Sequence, residues 1–262
     1  MDLIPPLEDL HDLPVSEEFL RRQQSYCAPS PSAWTAAPQT VPVKTRCTSL
    51  SLSTATTQAL QRTAKEEKSS ITAMLHSLLA ASLFHILPPT YTTLNADCAV
   101  SLRRWLPSPI IPSSIGCFVG SFAQTYSRGP FSWSEARRTK STIDHAVQSR
   151  GADMPVSFLR HVPDMHQWFG EKLGRQRLSA FELSNVGKLG PLERQGDYRI
   201  ESLLFSQGAS ACSAAIKVSA VTGRDERLAL GFSWQEGVVD DDIMEILVAR
   251  LREEFEKIVA HC

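Results

Sequence analysis

Residues Ala214–Trp234 read AAIKVSAVTGRDERLALGFSW. Two apolar runs, 214–221 and 228–234, flank the polar segment Thr222-Gly223-Arg224-Asp225-Glu226. Runs of this kind joined by a short glycine-containing turn predict an antiparallel hairpin. Beyond it, Asp240 to Asp242 cap an amphipathic helix with Ile243, Leu247, Leu251 and Ile258 inward and Glu253 paired with Lys257 outside. Helices and strands precede the hairpin in mixed order, with no internal repeat. Hairpin strands late in such an order predict an α+β protein: a two-layer sandwich with a mixed, largely antiparallel sheet flanked by helices.

Toward the N-terminus, Tyr198–Phe205 reads as a strand. The segment FELSNVGKLGP, 181–191, reads as three strand residues running into Ser184-Asn185-Val186-Gly187 and a Gly-Pro stop. Residues 155–170 are helical in part, and Ser132 with Glu135 forms a capping box for a helix to about Gln148. Ile115–Tyr126 and Ala96–Leu102 read as strands, the second running into Arg103-Arg104-Trp105. Ser69 or Ser70 caps a helix in which Ile71, Met74, Leu75, Leu78, Leu79, Ile86 and Leu87 keep helical spacing, stopped by Pro88-Pro89. Ser53 and Thr54 open the helix before it, and Cys47–Leu52 alternates as a strand. Residues 28–43 are rich in Pro, Ala and Ser and look extended, and Ser16 caps a short helix before them. The expected division is an N-terminal helix and linker arm, 1–43, followed by a lobe, 44–262.

The 262 residues are 42% hydrophobic and 21% charged, with a formal net charge of −1. That balance fits a globular protein and argues against nucleic-acid binding or a polybasic membrane patch. The most apolar run, Ile71–Leu87, is short for a membrane span and carries Thr72, His76, Ser77, Ser82 and His85. The start MDLIPPLEDLHDLP is acidic and proline-broken, unlike a signal peptide. Six scattered cysteines without a C-x-x-C pair predict neither a zinc site nor a disulfide framework. The expected location is intracellular, either cytoplasmic or peripheral to endomembranes.

Seven histidines are the first candidates for chemistry. His76 and His85 share an apolar helix and read as packing or edge residues. His161, Asp164 and His166 do not share one helical face, so no metal site is expected there. G-x-S-x-G, P-loop and G-x-G-x-x-G motifs are absent. Two polar segments remain, Ser184-Asn185-Val186-Gly187 and Ser206-Gln207-Gly208-Ala209-Ser210. Either they are turns, which these residue types favour, or they are strand ends that supply donors to a developing oxyanion.

The string TSLSLSTATTQALQRTAKEEKSSITAMLHSLLAASLFHIL resembles the central helix pair of the fungal alcohol acetyltransferase family. AVSLRRWLP, IGCFVGSF, ELSNVGKLG, LLFSQGASACSAAIKVSAVT and LALGFSWQEGVVDDDIMEILVARL follow in matching order. The opening PPLEDLHDLPVSEEF looks like that family's mid-chain linker. The wider superfamily contains chloramphenicol acetyltransferases, plant BAHD enzymes and peptide-synthetase condensation domains. The likeness covers nearly the whole chain, but only the second half of the family's length.

The resemblance implies a chloramphenicol acetyltransferase-like C-terminal lobe bordering a tunnel for acyl-CoA and an alcohol or amine acceptor. It implies acetyl-CoA or another acyl-CoA as co-substrate, with no tightly bound cofactor and no metal. Ser184, Asn185 and Gly187, with Ser206, Gln207 and Gly208, become tunnel-lining candidates. The family's base is the histidine of His-x-x-x-Asp, which takes the acceptor's hydroxyl proton. Position +4 from His11, His76, His85, His145, His161 and His166 is Val15, Ala80, Pro89, Ser149, Met165 and Gly170. His261 has one residue after it. No catalytic residue is therefore assigned within the chain, and a missing N-terminal lobe is expected to carry the base. Two other readings stay open: a non-catalytic binding or scaffold half-protein that pairs with another lobe, and a divergent enzyme using His145 or His161. Arg103 reads as a strand-closing residue paired with a carboxylate in preference to a CoA phosphate contact, and Trp234 as core or interlobe packing.

Overall fold

Serine hydroxyls start four of the helices in this computed structural model, which describes residues 3–24, 27–190, 200 and 202–260. After the single turn α1 (Leu7–Leu10), Ser16 accepts the Phe19 amide at 3.2 Å and opens α2 (Glu17–Gln24). Strand β1 (Thr45–Ser51) follows, and then Ser53 and Ser70 cap α3 (Thr54–Glu66) and α4 (Ile71–Ile86). Ser69, the other candidate cap, donates instead to the Ala136 carbonyl at 3.1 Å. The C-terminal end of α4 is closed by Arg128, which donates to the carbonyls of Phe84, Leu87, Pro88 and Tyr91. A cation there satisfies the Phe84 carbonyl, which has no helical donor because residue 88 is a proline.

Strands β2 (Thr93–Ser101) and β3 (Val119–Ser127) come next, then α5 (Trp133–Gln148), α6 (Pro155–Phe158) and α7 (Met165–Gly170). The chain ends with β4 (Phe181–Lys188), β5 (Ile216–Thr222), β6 (Leu228–Gln235) and α8 (Asp241–Ala260). The six strands form one sheet in the order β1-β6-β5-β4-β2-β3. The pairs β1/β6, β5/β6 and β2/β3 are antiparallel, whereas β4 runs parallel to both β2 and β5. Leu50, Leu183, Val218, Leu230 and Phe232 meet Leu60, Met74, Leu78, Leu247 and Leu251 in the main core, so α3, α4 and α8 lie on one face. A second cluster joins Leu7 and Leu13 of the N-terminal segment to Val100, Leu102, Phe118 and Met154. Within the arm, Ala33 bridges in parallel to Thr93 and Trp34 is buried in the main core.

Several local expectations need correction. β3 starts at Val119, opposite Ser101 at the end of β2, and Arg103 holds the preceding loop by donating to the carbonyls of Ser114 and Gly116. Arg103 thus pairs with loop carbonyls and the Phe118 ring, and with no carboxylate among the described residues. Of the strand expected over 198–205, residues 198, 199 and 201 lie outside the described ones, and the others are not strand. Only half of the capping box at α5 forms: Ser132 accepts from the Glu135 amide, while the Glu135 carboxylate turns to Arg138. On α8, Lys257 pairs with Glu254 and Glu253 with Arg250. Trp234 takes the first of its two expected roles and lies in the core, with its indole N–H donated to Asp241 at 2.9 Å. No single helix among the described residues is long and apolar enough to cross a membrane.

Candidate functional site on the helix-free sheet face

In β4, Phe181 and Leu183 enter the core, as do Ile216 and Val218 of β5 and Leu230 and Phe232 of β6. Alternation sends the residues between them to the opposite face. There Ser184, Ser219 and Gly231 stand side by side in one row of the register, continued by Ser49 of β1. The adjoining row holds Asp97, Glu182, Lys217 and Ser233. These two rows are built of small and polar side chains, and an apolar residue, Val221 of β5, appears only in the next row.

The charged row is largely buried. Lys217 lies 3.6 Å from Glu182, with side chains 12% and 20% exposed. Burial pushes the Asp97 carboxyl up to about 6; a Ser179 hydroxyl pulls it down and the neighbouring Glu182 raises it further. Ser219 and Ser233 are each 1% exposed, yet among the described residues neither hydroxyl meets a hydrogen-bond partner. Unsatisfied buried hydroxyls are uncommon in folded interiors and mark places where water, a ligand or another surface completes the structure.

The predicted site residues divide between the two faces. Ser184 and Asn185 do not end a strand: β4 continues through them to Lys188, with an irregularity in its pairing with β5 between Asn185 and Lys188. Gly187 sits in that irregularity with φ of +79°. Asn185 points toward the helices, donating to Thr72 at 3.0 Å while its carbonyl oxygen accepts the Gly187 amide at 2.9 Å. Ser184 alone of the three faces the polar side. Ser206, Gln207 and Gly208 belong to an irregular segment that crosses the same face further along. Phe205 stands over Gly231, and the Ala209 amide donates to Thr45 at 2.9 Å. Gln207 has a buried, unpartnered carbonyl oxygen, while Ser206 is exposed. Ser184 and Gly231 are two strand spacings apart, about 10 Å, and among the described residues no hydrogen bond joins Ser184 to the crossing segment.

Arg177, 5% exposed, holds that segment down. It donates to the Ser210 carbonyl and the Gln235 side chain, both at 3.0 Å, and to the Ala37 carbonyl at 3.3 Å. His76 is fully buried, donating from Nε2 to the Asp97 carbonyl at 3.1 Å and accepting from the Tyr126 hydroxyl at 2.7 Å. Burial holds its pKa down at about 4, the Asp97 hydrogen bond opposing, so it is neutral at pH 7. Asp164 of the HVPDMH segment caps α7 through the Gln167 amide at 2.9 Å.

Residues 18–259 match the family described as alcohol acetyltransferase, abbreviated AATase. This chain belongs to the alcohol acetyltransferase family. It is 36% identical over 272 residues to the Aspergillus fumigatus protein named "Probable alcohol acetyltransferase crmB", covering 97% of this chain and 58% of that protein. It is 28% identical over 212 residues to "Probable alcohol acetyltransferase FCK4" of Fusarium pseudograminearum, covering 75% and 43% respectively. The chain thus spans about half the length of the curated relatives it matches. Its fold superposes on TRI3 trichothecene 15-O-acetyltransferase from Fusarium sporotrichioides with a TM-score of 0.74 at 13% identity, over 98% of this chain and 56% of that one. It also matches the epimerization domain of tyrocidine synthetase B, TM-score 0.59 at 14% identity, over 94% and 56%. At such identities the likeness is one of fold, and it is the acetyltransferase and condensation-domain fold expected from the sequence.

For this alcohol acetyltransferase family member, the residues the sequence reading missed are Asp97, Glu182, Lys217, Ser219 and Ser233. A signal was present: each of the runs ADCAV, FEL and IKV carries one charge among apolar residues. What the runs do not state is that these three charges share a single register row.

Proposed function

We propose that this chain forms part of an acyl-CoA-dependent alcohol O-acyltransferase whose catalytic base lies outside these 262 residues. The observation that carries the reading is the hydroxyl row Ser184-Ser219 on the helix-free face, with Ser219 buried and unpartnered, in a chain of this family that lacks His-x-x-x-Asp. In this reading the polar face borders the channel for acyl-CoA and the acceptor, inside the cell where the co-substrate is found. Ser184 offers a hydroxyl donor to the oxyanion that forms when the acceptor oxygen attacks the thioester carbonyl. Asn185 and Gly187 hold the end of β4 against α4, and Ser206, Gln207 and Gly208 roof the far side. Residues 1–43 act as an arm leading toward the partner lobe, and 44–262 as the lobe itself.

The same lack of a base supports a second reading, a binding half-protein that pairs with another lobe without turnover. The native transcript separates the two when read from its 5′ end. An in-frame extension encoding His-x-x-x-Asp supports the enzyme, and an upstream stop codon favours the binding protein. In the longer form, release of free thiol from acetyl-CoA with a panel of alcohols measures turnover. Ser184→Ala should lower kcat on the order of a hundredfold with an unchanged melting temperature, and undiminished turnover removes Ser184 from the site. Turnover by the 262-residue chain alone would overturn an external base.

A further inference from the structure

At the far edge of the sheet, the N-terminal arm and the connection after β2 form a concavity lined by His11, Arg104, Trp105, Leu106, Pro107 and Arg150. We propose that it binds an organic phosphate carrying a planar ring. Identifying that ligand with the nucleotide end of an acyl-CoA rests on the function proposed above; the binding itself does not.

Two arginines face this space with their charges uncommitted. Arg103, one residue earlier, spends its guanidinium on the carbonyls of Ser114 and Gly116. Among the described residues Arg104 has no such acceptor. Its guanidinium lies 5.4 Å from the centre of the Trp105 ring, which orients it. Arg150 likewise meets no carboxylate or side-chain acceptor among the described residues; its only bond is from its backbone amide to the Val147 carbonyl. His11 adds a third donor. Its Nδ1 accepts the Leu13 amide at 2.9 Å, so the proton of the neutral ring sits on Nε2, free to donate.

The backbone at Arg150 points the same way. It follows the C-cap Ser149 of α5, the place where a left-handed residue usually ends a helix and glycine is favoured. Arginine occupies it with φ of +52°, beside Gly151 at +92°. The conformation is enforced by docking of the arm. Asp153 accepts the Ser16 amide at 2.7 Å and hydroxyl at 3.0 Å, and its own amide donates to the Pro14 carbonyl at 2.9 Å. An arginine kept where glycine would cost less marks a functional candidate.

The chemistry selects the ligand. A phosphate offers several oxygens to two forked guanidinium groups and one imidazole N–H, and arginine is suited to phosphate recognition. The indole of Trp105, with Leu106 and Pro107 beside it, supplies a flat and apolar surface for a ring. A simple carboxylate would leave part of this donor set unused.

Isothermal titration calorimetry with adenosine 3′,5′-bisphosphate, adenosine and inorganic phosphate tests the proposal on this chain. The bisphosphate should bind, more weakly as salt is raised, and both the ring-free and the phosphate-free probe should bind at least about tenfold more weakly. Arg104→Ala and Arg150→Gly should each weaken the bisphosphate by about tenfold or more, the loss expected for a charge-assisted hydrogen bond. Arg150→Gly suits the left-handed backbone, so a lost affinity in that variant cannot be put down to misfolding. No binding of bisphosphate by the wild type, binding that both variants leave unchanged, or equal binding of inorganic phosphate would each overturn the site. The titration needs no turnover, so its failure is distinct from a failure of the acyltransferase reading.

Discussion

Phe205 lies directly across Gly231: a β-carbon at Gly231 would overlap the Phe205 carbonyl oxygen and touch Leu204. The glycine lets an irregular segment lie flush on the sheet, where any side chain would lift it. Gly231→Ala should therefore cost about 1–3 kcal/mol, the usual penalty for overpacking. Urea denaturation measures that loss. Limited chymotrypsin digestion should also show faster cleavage at Leu203, Leu204 and Phe205. Unchanged stability and unchanged cleavage would mean that the segment does not rest on Gly231.

Asp97 and His76 should oppose one another as pH changes. The Asp97 pKa is raised from 3.8 to about 6 by burial, so the native state holds a proton that the unfolded state has released. Its contribution is complete below about pH 4 and is lost as pH rises through 6, about 2–3 kcal/mol in all. The His76 pKa is lowered from 6.5 to about 4, again by burial. Its contribution is complete above pH 6.5 and is lost as pH falls through 4. Wild-type stability from pH 4 to 6.5 should then be nearly flat, as far as these two groups set it. Asp97→Asn should make it rise with pH, and His76→Gln should make it fall. Urea midpoints across that range decide it, and parallel curves for all three proteins would refute both shifts.

Arg177 connects the arm, the crossing segment and the end of β6 through Ala37, Ser210 and Gln235. Arg177→Met removes these donors and strands the buried Gln235 acceptor together with the partly buried carbonyls of Ala37 and Ser210, at a cost of about 2–4 kcal/mol. Arg177→Lys should recover only part, since an ammonium cannot reproduce the planar fork. Denaturant midpoints of the two variants provide the check.

Gly187 has φ of +79° and no atom within 4 Å of where a β-carbon would stand, so the demand for glycine comes from the backbone alone. Gly187→Val should lose about 2 kcal/mol through strain. Gly187→Asn should lose far less, because asparagine tolerates the left-handed region. Equal melting temperatures for the two variants would show that the irregularity in β4 relaxes at little cost.

Much of the fold was legible locally. Ser53, the Ser69-Ser70 pair and Ser132 announced their helices through capping chemistry, and the 222–226 turn announced its hairpin. Those signals involve residues a few positions apart. The edges of β3 and β4 were misread because their limits depend on partners far along the chain. Pairing with β2, which ends at Ser101, sets where β3 begins, and pairing with β5 carries β4 past Asn185.

The site was legible in part. Ser184 was found, but its grouping with Asn185 dissolved, since adjacent strand residues face opposite ways and Asn185 is bonded to α4. The charges Asp97, Glu182 and Lys217 were each visible as a single polar residue in an apolar run. That they lie abreast is a matter of register between β2, β4 and β5.

By itself, then, the sequence determined the helix starts, the late hairpin, the family resemblance and the lack of a His-x-x-x-Asp motif. These are properties of neighbouring residues or of order along the chain. Tertiary structure alone decided which polar residues share the helix-free face, that Arg177 binds three distant segments, and that Arg104 and Arg150 face one concavity. The physical reason is that strand order and register are set by burying one continuous apolar layer against α3, α4 and α8. That collective packing fixes what the other face displays, and no short stretch of the chain encodes it.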